Sequence, residues 1–245
     1  NGYLKIHKSS ANPEMTDKNS CYKFEDIRYG IFTDEACVNN LVVLSLDANG
    51  YSQPYELPEG TYYVREADAA PGSGYQTNST VYTVTVTAGT TSDAPVMCET
   101  TDVPLNDPLG IQINKINSDG TTTADLSGAE YTITYYPKQY TSVEEIKADT
   151  DPDVKPTVWV IQTTKRSDGS YYASLKDECI VPNSNSAGAV FGKNHTGTYV
   201  IPLGTITVEE TKAPAGFTKD GAVVSSAKTG ATISGTNNVY LFQFV

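Results

Sequence analysis

The chain has 245 residues and a net charge of −12, from 17 Lys and Arg against 29 Asp and Glu. That balance excludes a nucleic-acid binder, whose footprint is a basic stripe, and a polybasic membrane-surface protein. With 38% hydrophobic and 10% aromatic residues the chain can bury a core and is not disordered. At roughly 100–200 residues per domain, its length corresponds to one or two domains. The aromatics are 17 Tyr, 6 Phe and 1 Trp, and Thr is the commonest residue. Tyr, Thr and Val suit a pleated, half-wet surface, so the composition leans all-β. No run approaches the roughly 18 consecutive apolar residues of a membrane span. No signal peptide heads the sequence, so for an exported protein the signal and any anchor lie outside it.

In chain order, strands are expected at "GYLKIHK" (2–8), "RYGIFT" (28–33, within a run from about Phe24 to Thr33), "LVVLSL" (41–46), "TYYVRE" (61–66) and "VYTVTVT" (81–87). Gly, Pro, Asn and Asp clusters separate them, including "DANG" (47–50), "LPEG" (57–60) and "APGSGY" (70–75). Short strands at this spacing read as a sandwich or barrel. After "DVPLNDPLG" (102–110) the pattern restarts with "IQINKIN" (111–117), "AEYTITYY" (129–136), "TVWVIQTTK" (157–165), "SYYASL" (170–175), "TYVIPLG" (198–204), "TITVEE" (205–210) and "NVYLFQFV" (238–245). Only "TSVEEIKAD" (141–149) has a helical look.

The second half repeats the first. "YLKIHKSS" matches "GIQINKIN", "IRYGIF" matches "AEYTIT", and "TYYVREADAAPGSGY" matches "TITVEETKAPAGF". Two tandem β-domains, 1–106 and 107–245, are the simplest account. The two prolines of "PLNDPLG" suggest a fairly stiff linker.

Two histidines and four cysteines, Cys21, Cys37, Cys98 and Cys179, offer no C-x-x-C and no His pair at i, i+4, so no zinc ligand set is present. An extended strand between Cys21 and Cys37 would hold their thiols far apart. Free, buried thiols and disulfides both remain open.

Each half has a Lys on its first strand and a Glu on a late strand: Lys8 with Glu66, Lys115 with Glu210. Side chains at i, i+2 and i+4 share a face. Lys8 therefore continues the row of Leu4 and Ile6, and Lys115 that of Ile111 and Ile113. Glu66 follows Tyr62 and Val64, and Glu210 follows Ile206 and Val208. Buried charges are rare unless paired. Three readings stand: a register off by one residue, which turns all four to solvent; a plain buried ion pair; or covalent chemistry. In the last, burial lowers the pKa of the Lys and raises that of the Glu. The neutral amine is a nucleophile and the neutral Glu a proton shuttle, so an adjacent Asn or Asp would be joined through an amide with no cofactor.

On "LKIHK", "IQINK", "YGIFTDEAC" (29–37), "LSGAEYTI" (126–133) and the segments "YYVREADAAPGSGY" and "ITVEETKAPAGF", the sequence resembles tandem CnaB-type, transthyretin-like domains of Gram-positive surface proteins. These are the modules of SpaA-like pilins and collagen-adhesin stalks. The resemblance covers nearly the whole chain. It implies two all-β sandwiches, the second with longer insertions. It also implies an intramolecular isopeptide bond from a first-strand Lys (Lys8, Lys115) to a last-strand Asn or Asp, catalysed by Glu66 and Glu210. In the first domain Asp102 is the best-matched acceptor, ahead of Glu99 and Asn106. In the second the acceptor lies beyond Val245 or is Asn237 or Asn238. The first domain departs from the pattern, with an extra residue before Ala-Pro, another before Tyr75, and Ile27-Arg28 where the family has Gly-Ala.

The resemblance further implies a structural stalk, pilin-like or adhesin subunit that is extracellular and cell-wall anchored, with sortase and other surface subunits as partners and no external substrate. "YYPK" (135–138) resembles the motif whose Lys joins pilins, which makes Lys138 a weak sortase candidate. The alternative is a module binding a host glycan or extracellular-matrix protein through the second-domain insertions, with Tyr140, Trp159 and Tyr171 nearby. "DTDPD" (149–153) reads as a solvated acidic loop, "NST" (78–80) and "NHT" (194–196) as sequons of little meaning in a bacterial protein, and His195 as a loop histidine.

Overall fold

The computed structural model describes residues 1–108, 111–116, 124–184, 195–197, 200–219, 222–226, 232–236 and 239–244. It divides into two compact units. Unit 1 comprises Asn1–Asp17 and Cys21–Leu105; unit 2 comprises Lys18–Ser20 and Asn106–Val245. Both are built almost wholly of β-strands.

Unit 1 contains β1 (Gly2–Ser10), a short α1 (Pro13–Thr16), β2 (Arg28–Phe32), β3 (Asn40–Ser45), β4 (Tyr55–Leu57), β5 (Gly60–Asp68), β6 (Val81–Val86) and β7 (Val96–Asp102). One sheet has the order β4-β1-β7, the other β3-β2-β5-β6. Leu4 and Ile6 of the first sheet meet Ile31, Val64, Val84 and Val86 of the second in a single core. Each such side chain contributes about 1.5–3 kcal/mol by leaving water. β1 alternates buried and half-buried positions, with Leu4, Ile6 and Lys8 all inward. The alternation read from sequence thus has the right register. The first and last strands pair in parallel, Lys8 opposite Thr100 and Ser10 opposite Asp102.

Local chemistry explains two departures from expectation. The strand expected from Phe24 starts only at Arg28, because Asp26 has a left-handed φ of 67° and the amide of Ile27 donates to the carbonyl of Phe24 in a turn. The helix α1 follows Asn12, whose side chain accepts from the Met15 amide, and has Pro13 at its start. Gly74, in the turn after Ala-Pro, has φ 83°, and a Cβ there would lie 2.5 Å from Tyr22 and 2.8 Å from the Cys21 carbonyl. That turn therefore requires glycine.

Unit 2 contains β8 (Asn106–Pro108), β9 (Gln112–Lys115), β10 (Glu130–Tyr136), α2 (Val143–Ala148), β11 (Thr157–Gln162), β12 (Thr164–Lys165), β13 (Tyr171–Ser174), β14 (Val200–Pro202), β15 (Gly204–Lys212), β16 (Ala222–Ser226), β17 (Thr232–Thr236) and β18 (Val239–Phe244). Its sheets are β11-β10-β15-β18-β17, β12-β13-β9-β16 and the pair β14-β8. Part of the expected linker is therefore a strand of unit 2. α2 is capped by Ser142, whose side chain accepts from the Glu145 amide, while the Glu145 carboxylate accepts from the amide and hydroxyl of Thr141 just before the cap. Cys21, Cys37, Cys98 and Cys179 are all buried and none is in a disulfide.

The internal repeat extends to register. Tyr29 pairs with Glu66 across β2–β5, and Tyr131 with Glu210 across β10–β15. A shift of register immediately precedes each tyrosine. The units differ at the strand beside the lysine: β7 runs parallel to β1, whereas β16 runs antiparallel to β9 with Ala222 opposite Lys115.

Candidate functional site

Three strands of unit 1 bring one cation and two carboxylates together. Lys8 of β1 is fully buried, Glu66 of β5 is 4% exposed and Asp102 of β7 is 8% exposed. The Lys8 Nζ lies 3.2 Å from Glu66 Oε1 and 3.0 Å from Asp102 Oδ2. Two aromatic rings wall the amine, Tyr75 at 5.1 Å and Tyr29 at 5.8 Å from ring centre to Nζ. The Tyr29 hydroxyl is occupied by Thr100 at 3.0 Å. The three residues aligned from sequence are therefore a single cluster. Asp102 is the carboxyl that meets Lys8. Glu99 is exposed and bonded to His7, and Asn106 is exposed on β8.

The charges do not balance, since two carboxylates share one ammonium in a site almost closed to solvent. Burial pushes the Glu66 carboxyl above its ordinary range; the Asn78 amide and Lys8 pull it partly back, and Asp102 adds a small upward push. A proton held on Glu66 relieves the excess negative charge. An amine, a carboxyl group within hydrogen-bond reach and a proton-bearing second carboxyl are the requirements for direct amide formation.

Unit 2 assembles the corresponding pair. Lys115 Nζ is 2.8 Å from Glu210 Oε1, and both side chains are at most 2% exposed. Glu210 Oε2 is buried and has no hydrogen-bond partner among the described residues. The acceptor candidates Asn237 and Asn238 lie outside the described residues.

Lys138 lies just after β10, its Nζ 2.6 Å from Asp149 Oδ2, which also accepts from the Tyr140 hydroxyl. That bond raises the Lys138 pKa, and it holds the Asp149 carboxyl well below the usual range. Tyr140, Trp159 and Tyr171 are all buried, so they fill the interior and do not form the ligand surface that their nearness in sequence suggested. A cavity of about 510 Å³ opens instead beside β12 and β13, lined in part by Arg166, Asp168, Tyr172, Lys176 and Glu178. No group of three metal-ligating side chains occurs among the described residues. No helix among them is long and apolar enough to cross a membrane.

The family model of the SpaA prealbumin-like fold domain matches residues 16–97. That stretch, almost all of it within unit 1, is similar to the SpaA prealbumin-like fold domain. The matched stretch contains Glu66, while Lys8 and Asp102 lie on the strands that flank it. Among solved structures the chain is similar to the Bacillus anthracis TIE protein, with 18% identity over 93% of this chain and 31% of that one and a TM-score of 0.46. It is also similar to a C-terminal fragment of the pilus adhesin SpaC from Lactobacillus rhamnosus GG, with 14% identity over 100% and 98% of the two chains and a TM-score of 0.42. For the shaft pilin SpaA of the same organism the values are 13%, 91%, 92% and 0.32. The chain thus spans about a third of the TIE protein's length. No curated protein matches the chain.

Sequence reasoning missed the tyrosine walls, Thr100 and Asn78. Tyr29 was legible in the repeated "Y-x-I" of β2 and β10, but nothing in the spacing places its ring against Lys8.

Proposed function

We propose that the chain is part of a Gram-positive cell-surface stalk, pilin-like or adhesin subunit whose first domain is locked by a self-made amide between Lys8 and Asp102, with Glu66 as catalyst. The observation that carries this reading is the buried cluster: Lys8 Nζ is 3.0 Å from Asp102 and 3.2 Å from Glu66. A plain ion pair needs one carboxylate; the second gives the proton a carrier. In this reading the protein is extracellular and wall-attached, with sortase and other surface subunits as partners. The reaction is a single turnover within the chain and uses no external substrate. In unit 2, Lys115 and Glu210 are set for the same reaction, with Asn237, Asn238 or a residue after Val245 as acceptor. Lys138 would be the residue joined by sortase only if it were released from Asp149.

Intact mass of the denatured, reduced protein tests this. The expected result is a deficit of one water for the first domain, absent in Glu66→Ala and Lys8→Ala. A mass equal to the plain sequence sinks the reading. A second reading, binding of a host glycan or matrix protein through unit 2, draws on the cavity beside Arg166. Glycan binding that is lost in Arg166→Ala would favour it.

A further inference from the structure

Asn78 lies on the connection between β5 and β6 and touches both carboxyl groups of the cluster. Its backbone amide donates to Glu66 Oε2 at 2.9 Å, and its side-chain Nδ2 donates to Asp102 Oδ1 at 3.4 Å. The backbone amide of Val103 donates to the same Oδ1 at 2.8 Å. The orientation of the Asn78 amide is fixed, since its Oδ1 accepts from the Thr80 amide at 2.9 Å and from the Thr80 hydroxyl at 2.7 Å. With its oxygen committed to this Asx turn, the NH₂ group faces Asp102. The Asn-Ser-Thr run that reads as a sequon thus has a structural part to play.

The two oxygens of Asp102 are therefore not equivalent. Oδ2 faces the Lys8 amine; Oδ1 faces two N–H donors. We propose that Asn78 is a catalytic residue, forming with the Val103 amide an oxyanion hole that holds Asp102 Oδ1 while Oδ2 departs as water. The inference rests on the isopeptide reading and deepens it. Lys8 first passes a proton through Glu66 to Asp102 Oδ2, which leaves a neutral amine and a carboxylic acid. Nζ then attacks Cγ, the C–N bond forms, and the carbonyl electron pair moves onto Oδ1. Glu66 carries a second proton from Nζ to Oδ2. As the C–Oδ2 bond breaks, one water leaves, Oδ1 becomes the amide oxygen, and Glu66 ends as it began. Donors aimed at the oxygen where charge develops lower such a barrier, and losing one costs on the order of 10²–10³ in rate. The 3.4 Å contact belongs to the resting carboxyl and shortens as Oδ1 gains charge.

The test follows mass against time after the full chain, solubilised unreacted in denaturant, is diluted to refold, with far-UV circular dichroism recorded in parallel. Wild type should lose one water; if it folds and never does, the isopeptide reading itself fails. Asn78→Ala keeps the backbone donor to Glu66 and should refold with the same dichroism while losing water about 10²-fold more slowly. A rate within threefold of wild type overturns the inference. Should Asn78→Ala not fold, Asn78→Asp decides: it keeps the oxygen that accepts from Thr80 but lacks the NH₂ donor, and a rate at neutral pH within threefold of wild type overturns the proposal. Asn78→Asp adds a signature that a merely structural role would not give. Its reaction should slow as pH rises through the ordinary carboxylate range and recover below it, where the new side chain is protonated and can donate. A pH profile identical to wild type also overturns the proposal.

Discussion

Blocking the cross-link should expose how much of the first domain's stability is covalent. Lys8 and Asp102 are 94 residues apart in sequence. Tying such a loop removes about 4.7 kcal/mol of chain entropy from the unfolded state at 25 °C. For the roughly 100 residues of unit 1, the unfolding entropy near the midpoint is about 0.2 kcal/mol/K, so the same quantity corresponds to about 20 °C in Tm. Glu66→Gln is the suitable perturbation. It keeps the shape and a hydrogen-bonding group, and it leaves the Lys8–Asp102 pair in place, so no charge is stranded. Calorimetry on wild type and variant, each checked by mass, should show the transition of unit 1 falling by about 20 °C. A variant that retains its water yet melts within about 5 °C of wild type would refute the loop-entropy argument.

Two further outcomes follow from the electrostatics. In a Lys8→Met background no bond forms and Glu66 stays buried. Its folded-state pKa lies above the unfolded one, so its contribution is fully present below about pH 4.5 and is lost as pH rises through the raised value. Urea midpoints should therefore fall with rising pH in that range, and adding Glu66→Gln should flatten the profile; an unchanged slope would contradict the raised pKa. Lys138, held protonated by Asp149, should acylate more slowly than the exposed lysines at pH 8–9, and Asp149→Ala should abolish the lag, as peptide mapping after brief acetylation would show.

How much of this the sequence discloses depends on periodicity. Lys8 and Glu66 lie on nine-residue strands whose alternation holds from Leu4 through Lys8 and from Tyr62 through Glu66, so their inward direction is legible from Leu4, Ile6, Tyr62 and Val64. Asp102 is legible through the same pattern on β7, where Cys98 and Thr100 share its face. Asn78 is not, because it sits in an irregular connection where an Asx turn sets side-chain direction. The shift of register before Tyr29 and Tyr131 is equally silent: a bulge inserts one residue without changing the composition of the strand. Direction of pairing is a third gap. The β-branched residues of "AVVSS" fit a strand, but nothing in them tells that β16 runs antiparallel to β9 where β7 runs parallel to β1.

The parallel pairing of β1 with β7 gives the cross-link its mechanical meaning. Tension applied between the start of β1 and the end of β7 loads their ladder in shear, since the two strands point the same way. Lys8 and Asp102 both lie near the C-terminal ends of their strands. With the amide formed, force runs from Gly2 to Lys8 along a strand that is already extended, crosses the side-chain bond and leaves through Asp102. The residues between Lys8 and Asp102 carry none of it. At about 3.5 Å per extended residue they would otherwise release about 300 Å of chain. Single-molecule pulling on the full chain should therefore show no event of that length for unit 1 in wild type, and one in Glu66→Gln. A wild-type trace with the full release would mean that the bond is absent or lies outside the load path, and the stalk reading would lose its mechanical basis.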